Sequence, residues 1–189
     1  MPEDQIRLAV IIGSTREGRF AEKVSRWFID QAKLYDVELD VIDLAQLSLP
    51  SAHRVQPSPE IIDLTRRVGA ADAFVVITCE YNHGYPASLK FAIDSVHDEW
   101  KAKPVAFVSY GGLAGGLRAV EQLRQVFAEL HTVTIRETVS FHMAPTQFDD
   151  SGQPIQRETV NAAAKSLMDQ LLWWAHALRT ARAAVPYVG

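Results

Sequence analysis

Ser14, Thr15, Arg16 and Arg19 stand close together in the stretch Gly13–Phe20, directly after the apolar run Val10-Ile11-Ile12. A strand that ends in such a loop and leads into a helical pattern aims backbone N–H groups, hydroxyls, a helix N-terminus and guanidinium groups at one point. That is a place built for an anion such as phosphate. Helix capping accounts for Gly13 and Ser14 but not for two nearby arginines. The loop lacks the Gly-Lys-Ser/Thr ending of a Walker A motif and the G-x-G-x-x-G of a dinucleotide fingerprint.

Two further loops carry unusual residues. Thr78-Cys79-Glu80-Tyr81-Asn82-His83-Gly84-Tyr85-Pro86 follows the most apolar run of the chain. Its tyrosines and Asn82 offer flat surfaces and donors for a planar heterocycle. A plain turn, with Asn82 and Gly84 supplying unusual backbone angles, explains those two residues but not Tyr81. Ser109-Tyr110-Gly111-Gly112-Leu113-Ala114-Gly115-Gly116 is rich enough in glycine to let backbone approach a ligand closely. A flexible connection with no ligand contact is the competing reading there.

The elements that would position these loops are legible from hydropathy. Ile6–Ile12, Ala73–Thr78, Val105–Tyr110 and a weaker run near Val133–Ile135 read as buried strands; Val37–Leu44 alternates and reads as a further strand. Helical stripes lie between and after them. They are Val24–Tyr35, Ile61–Val68 after Ser58-Pro59-Glu60, Leu89–Trp100 after Pro86, Val120–Leu130, and the longest, Val160–Leu178. Regular alternation of strand and helix predicts a doubly wound α/β domain. Ligands of such sheets bind beyond the carboxyl ends of the strands, where all three loops fall. Pro50–Pro59 and Met143–Pro154 are long irregular stretches without linker character.

Bulk properties set limits. A chain of 189 residues with 48% hydrophobic and 22% charged residues suits one globular domain, residues 1–189. The net charge of −4, with no block of like charges, argues against nucleic acid and against a polybasic membrane anchor. Cys79 is the only cysteine, which excludes an internal disulfide and a multi-cysteine zinc site. Met1–Gln5 lacks the layout of a signal peptide, and no apolar run approaches the ~20 residues of a membrane span. A cytoplasmic protein is expected.

Taken in order, Gly13-Ser14-x-Arg16, Glu80-Tyr81-Asn82, Leu89-Lys90-x-Ala92-Ile93-Asp94 and the glycine-rich turn after Tyr110 resemble the NAD(P)H-dependent FMN reductases, a group that includes quinone, azo-dye and chromate reductases. The resemblance runs from Ile6 to about Thr138, and the last helix matches in length. It implies a flavodoxin-like fold, with a five-stranded parallel sheet of order 2-1-3-4-5 and helices on both faces. It further implies bound FMN, with NADPH or NADH as a transient donor and a small-molecule electron acceptor. Ser14, Arg16 and the backbone to Phe20 would bind the phosphate, with Arg19 adding charge or pointing outward. Glu80, Tyr81, Asn82, His83 and Gly84 would contact the isoalloxazine edge, and Ser109, Tyr110, Gly111 and Gly112 its other side. The family usually has proline where Cys79 stands and commonly serine where Arg19 stands. His83-Gly84 and Pro86-Ala87 also depart from its usual turn.

In that scheme the cofactor carries the chemistry and no catalytic side chain is required. His83 reads as a positional or exposed loop residue and Cys79 as a small buried hydrophobe. Asp94, His97, Asp98 and Glu99 read as an exposed helix end, not a metal site, and Lys90 could pair with Asp94. Trp173 and Trp174 read as mostly core, with the last helix also suited to a subunit interface. The resemblance favours a homodimer or homotetramer. A flavodoxin-type electron carrier is the main alternative, although the modest charge speaks against electrostatic docking. A cofactor-free scaffold is a further one. A signalling receiver domain is discounted, because the acidic pair and phosphorylatable aspartate are missing after the first and third strands.

Overall fold

The computed structural model describes residues 5–189 except Ser51 and Arg54. The N-terminal stretch read above for a leader therefore lies, for Met1–Asp4, outside the described residues, as do those two positions of the Pro50–Pro59 loop. The chain runs β1 (Ile6–Ile12), α1 (Ala21–Ala32), β2 (Val37–Asp43), α2 (Pro59–Ala70), β3 (Ala73–Cys79), α3 (Ala87–Asp94), β4 (Pro104–Tyr110), α4 (Leu117–Glu129), β5 (Val133–Phe141) and α5 (Arg157–Ala184), with single 3-10 turns at Leu44–Gln46, Asp98–Trp100 and Ala144–Thr146.

All strand pairings are parallel and the order is β2-β1-β3-β4-β5, the flavodoxin-like arrangement. β3 and β4 are buried along their whole length, as their continuous apolar runs require of central strands covered on both faces. One face packs on α1 and α5, where Trp27, Phe28, Leu167 and Leu171 meet Val10, Val75 and Val108. The other packs on α2, α3, α4 and the 3-10 turn at Asp98–Trp100, where Leu64, Leu89, Phe127 and Trp100 meet Ile11, Phe74 and Phe107. The register aligns Asp43, Ile12 and Ile77, then Cys79, Tyr110 and Phe141. The carboxyl ends of the strands therefore finish at one edge and present their loops together.

The structure departs from the sequence expectations at several ends. β5 extends to Phe141, beyond the expected Val133–Ile135, because it is an edge strand whose second half mixes Arg136 and Glu137 with Val139 and Phe141. Tyr35 and Trp100 lie past their helices. α3 ends at Asp94, and the Trp100 indole donates to the Ile93 and Val96 carbonyls at 3.3 and 3.0 Å, occupying acceptors left over at the helix end. Lys90 does pair with Asp94, at 2.5 Å. Trp174 packs against the core, but Trp173 is 65% exposed, so only one of the two is core.

Candidate active site

Gly13 continues β1 by donating its N–H to the Ile77 carbonyl at 2.9 Å. A Cβ there would stand 3.0 Å from the Leu89 side chain, so the close packing of α3 against this loop explains the glycine better than helix capping does. Ser14 is buried, and its Oγ lies 3.4 Å from the Tyr81 hydroxyl. Arg16 is exposed and has no ion pair or hydrogen bond among the described residues.

Arg19 behaves differently. Its guanidinium donates to the Ser14 carbonyl at 2.5 Å and to both oxygens of Asp43 at 2.6 and 2.5 Å. The Asp43 bonds raise its pKa against the opposing effect of burial. The sequence reading offered two places for Arg19, adding charge to an anion or pointing outward. The structure gives a third: it lines the cleft, but its charge is matched by Asp43 and ties the loop to the end of β2.

After β3, Tyr81 and Gly84 exchange backbone hydrogen bonds of 2.8 and 3.0 Å. The two residues between them, Asn82 and His83, have φ of 50° and 71°. The left-handed positions of this tight turn are therefore Asn82 and His83, not Asn82 and Gly84 as turn chemistry suggested. Arg118 at the start of α4 holds the turn: its Nε pairs with Glu80 Oε1 at 2.6 Å and its Nη1 meets His83 Nε2 at 2.6 Å. Arginine only donates, so Nε2 is the unprotonated nitrogen of His83 in this contact. Glu80 and Tyr81 line the cleft, and Asn82, His83 and Gly84 lie in the turn beyond it.

After β4 the glycines divide by role. Gly115 and Gly116 have positive φ, and added Cβ atoms would stand 2.6 Å from Ser140 Oγ and 2.7 Å from Ser109 Cβ. Gly111 and Gly112 line the cleft, and nothing lies within 4 Å of a Cβ at Gly112. Ser109 is fully buried beneath this loop and donates to the Gly115 carbonyl at 2.8 Å instead of facing the cleft.

A fourth wall comes from the segment after β5, read from sequence only as irregular. Met143 and Ala144 donate to the Gly112 and Gly111 carbonyls at 2.8 and 3.0 Å, with Met143 left-handed at φ 46°. Met143, Ala144 and Pro145 thereby enter the site. The only signal was position: this segment follows β5, the strand beside β4 in the sheet.

These loops enclose a cleft of about 440 Å³ at the carboxyl edge of the sheet, floored by Cys79 and Tyr110. Among the described residues, the buried side-chain polar atoms without a hydrogen-bond partner are Ser58 Oγ, Glu80 Oε2 and Tyr110 Oη, and the last two belong to this cleft. Buried polar atoms are rarely left unmatched, so the pair calls for a ligand with a donor for the Glu80 oxygen and a polar atom for the Tyr110 hydroxyl, which can donate or accept. A groove of about 530 Å³ between α2 and the start of β1 and β2 is larger, but its charges are matched internally, Arg7 to Glu38 and Arg67 to Asp40.

Comparison with known proteins bears on this cleft. An NAD(P)H-dependent FMN reductase of Saccharomyces cerevisiae is 35% identical over 140 residues, 64% of this chain and 73% of that protein. An NADPH:quinone oxidoreductase of Arabidopsis thaliana is 32% identical over 165 residues, 82% of this chain and 84% of that one. A flavoenzyme NAD(P)H:(acceptor) oxidoreductase from Paracoccus denitrificans shares the fold with a TM-score of 0.71 at 22% identity, covering 89% of this chain and 97% of its own. The model of the NADPH-dependent FMN reductase family matches residues 6–146. That span begins with β1 and ends just after Pro145, taking in every wall of the cleft, and the chain belongs to the NADPH-dependent FMN reductase family.

Proposed function

We propose that the protein is an FMN-dependent NAD(P)H oxidoreductase that passes electrons from a nicotinamide, through FMN held in the cleft, to a small acceptor such as a quinone, an azo compound, a metal ion or free flavin. The observation that carries this reading is the polarity of the cleft. Among the described residues, Arg16 on the loop after β1 is a cation without an ion pair or hydrogen bond, and Glu80 Oε2 on the loop after β3 is a buried carboxylate oxygen without a partner. FMN has a dianionic phosphate at one end and a ring with an N–H donor at the other, so the residues present fit it in a single orientation. When bound, FMN supplies the electron transfer itself.

The chain's own residues bind and orient. Ser14, Arg16 and the backbone through Phe20 hold the phosphate, with charge-assisted bonds from Arg16. Arg19 keeps that loop in shape through Asp43. Glu80 and Tyr81 meet one side of the ring, with Asn82, His83 and Gly84 shaping the turn behind them. Gly111 and Gly112 allow the backbone to approach the other side, and Met143 and Pro145 cover the rim. No side chain needs to act as nucleophile or general base. His83, with Nε2 engaged by Arg118, takes a positional role.

The reading includes a homodimer or homotetramer in the cytoplasm. Support for self-association comes from the exposed Trp173 of α5 and from an apolar groove at Leu44, Leu47, Leu49 and Phe91 beside Thr15. No helix among the described residues is long and apolar enough to cross a membrane.

The absorption spectrum of the purified protein, before and after NADPH under anaerobic conditions, tests the reading. A flavin spectrum that bleaches is expected. A flavin spectrum that NADPH leaves unchanged would point to an electron carrier instead. A colourless protein that takes up no added FMN would defeat the proposal.

A further inference from the structure

The Tyr110 hydroxyl has no place in the scheme above, which uses only the backbone of its loop. Tyr110 is 5% exposed, its Oη is buried without a hydrogen-bond partner, and it lines the cleft. In the sheet it is the register partner of Cys79. Its side chain lies on the α1/α5 face and its ring packs 6.0 Å from that of Phe20. The side chain thus reaches from β4 across the end of β3 toward the loop after β1. The Ser14 hydroxyl, the Cys79 thiol and the Tyr81 phenol are the polar groups that bear on its hydroxyl there, and none of them completes a hydrogen bond with it. The nearby Arg19 guanidinium is taken by Asp43 and the Ser14 carbonyl.

We infer that the Tyr110 hydroxyl donates a hydrogen bond to the phosphate of FMN from beneath the loop, as a ligand supplied by the sheet and not by the phosphate loop itself. The inference rests on the FMN reading above and adds a residue to it. Sequence order assigned Tyr110 to the ring side, with the glycines that follow it. The geometry instead turns it toward Ser14 and Phe20, the loop that carries Arg16. Burial pushes the phenol's pKa up, so it remains a proton donor across the working pH range. A phosphate dianion offers only acceptors, and a buried donor with no partner is the group it completes.

The test compares Tyr110→Phe with the wild type. Each apoprotein is titrated with FMN and with riboflavin, which lacks the phosphate, by quenching of flavin fluorescence. The phenylalanine ring keeps the contact with Phe20 and removes only the oxygen. We expect the Kd for FMN to rise about tenfold, the range of a hydrogen bond to a charged group, while the Kd for riboflavin stays within twofold. The thermal midpoint of the apoprotein should hold or rise, since no bond is lost. The ³¹P resonance of bound FMN should shift between the two proteins. An unchanged Kd for FMN, with an unmoved ³¹P resonance, overturns the inference. An equal loss for both flavins also overturns it, placing the hydroxyl on the ribityl chain or ring. Wild-type protein that binds neither flavin would instead sink the FMN reading, so the two failures are distinguishable. Should Tyr110→Phe fail to fold, Tyr110→Leu is judged by the same ratio of FMN to riboflavin affinity.

Discussion

Arg19 and Asp43 are joined by two parallel hydrogen bonds, and the Arg19 side chain is only 7% exposed. Asp43 is the last residue of β2, and it also accepts from the Ala45 N–H at 3.1 Å. One carboxylate thus fixes the loop after β1 to the sheet and starts the next turn. The neighbouring Arg16 has no ion pair or hydrogen bond among the described residues. Two arginines of one short loop therefore divide into a paired cation and an exposed one.

This division predicts opposite outcomes for two alanine substitutions. Arg16→Ala should weaken FMN binding by roughly 1.5–3 kcal/mol, the scale of a charge-assisted hydrogen bond, with little change in stability. Arg19→Ala should cost about 2–3 kcal/mol of stability, below the roughly 3–5 kcal/mol of a fully buried broken pair, because Asp43 keeps some solvent. Flavin titration and urea denaturation of both variants check this. Equal stability losses would show that the assignment is wrong.

The glycines after β4 should separate in the same way. Gly115→Ala combines a left-handed backbone, worth about 1–2 kcal/mol, with a clash against Ser140 Oγ at 2.6 Å, so it should unfold at markedly lower urea concentration. Gly112→Ala meets nothing in the protein and should leave the apoprotein's denaturation curve in place while lowering flavin affinity. Denaturation midpoints beside FMN Kd values decide it.

Arg118 carries a further prediction. Removing it strands the Glu80 carboxylate, whose side chain is 6% exposed, and releases the His83 ring. Arg118→Ala should raise the FMN Kd severalfold, and Arg118→Lys should restore part of the affinity by returning the charge without the fork. Wild-type affinity in the alanine variant would show that the turn needs no such anchor.

At the other edge of the sheet, Lys103 is 7% exposed and its Nζ donates to the Val68 and Gly69 carbonyls at 2.9 Å each. Burial lowers its pKa from 10.5 to about 8 despite those bonds. Between those two values the unfolded chain binds more protons than the native one, so this residue makes stability rise with pH across that window. Urea midpoints from pH 7.5 to 10 should climb more in the wild type than in Lys103→Met. Parallel profiles would refute the shift.

The fold was readable because its central strands are uninterrupted apolar runs, and β1 has the expected limits to the residue. The outer half of β5 was not, since an edge strand tolerates Arg136 and Glu137 and loses its pattern. Three walls of the cleft were readable from loop composition. Met143–Pro145 were not, because ordinary residues reach the site there only through backbone bonds to Gly111 and Gly112. Nor could spacing show that Arg19 faces Asp43, or that the Tyr110 side chain leaves its own loop for another. Both are long-range meetings created by the parallel register.

The unmatched oxygens of Glu80 and Tyr110 also bear on how long the molecule survives. A ligand that bonds both groups adds hydrogen bonds worth about 1–3 kcal/mol where a charged group takes part, a large share of the margin by which a domain of this size stays folded. Ligand that satisfies them stabilises only the native state, by an amount that grows with its free concentration. The protein's resistance to unfolding is thereby expected to climb with the concentration of free flavin.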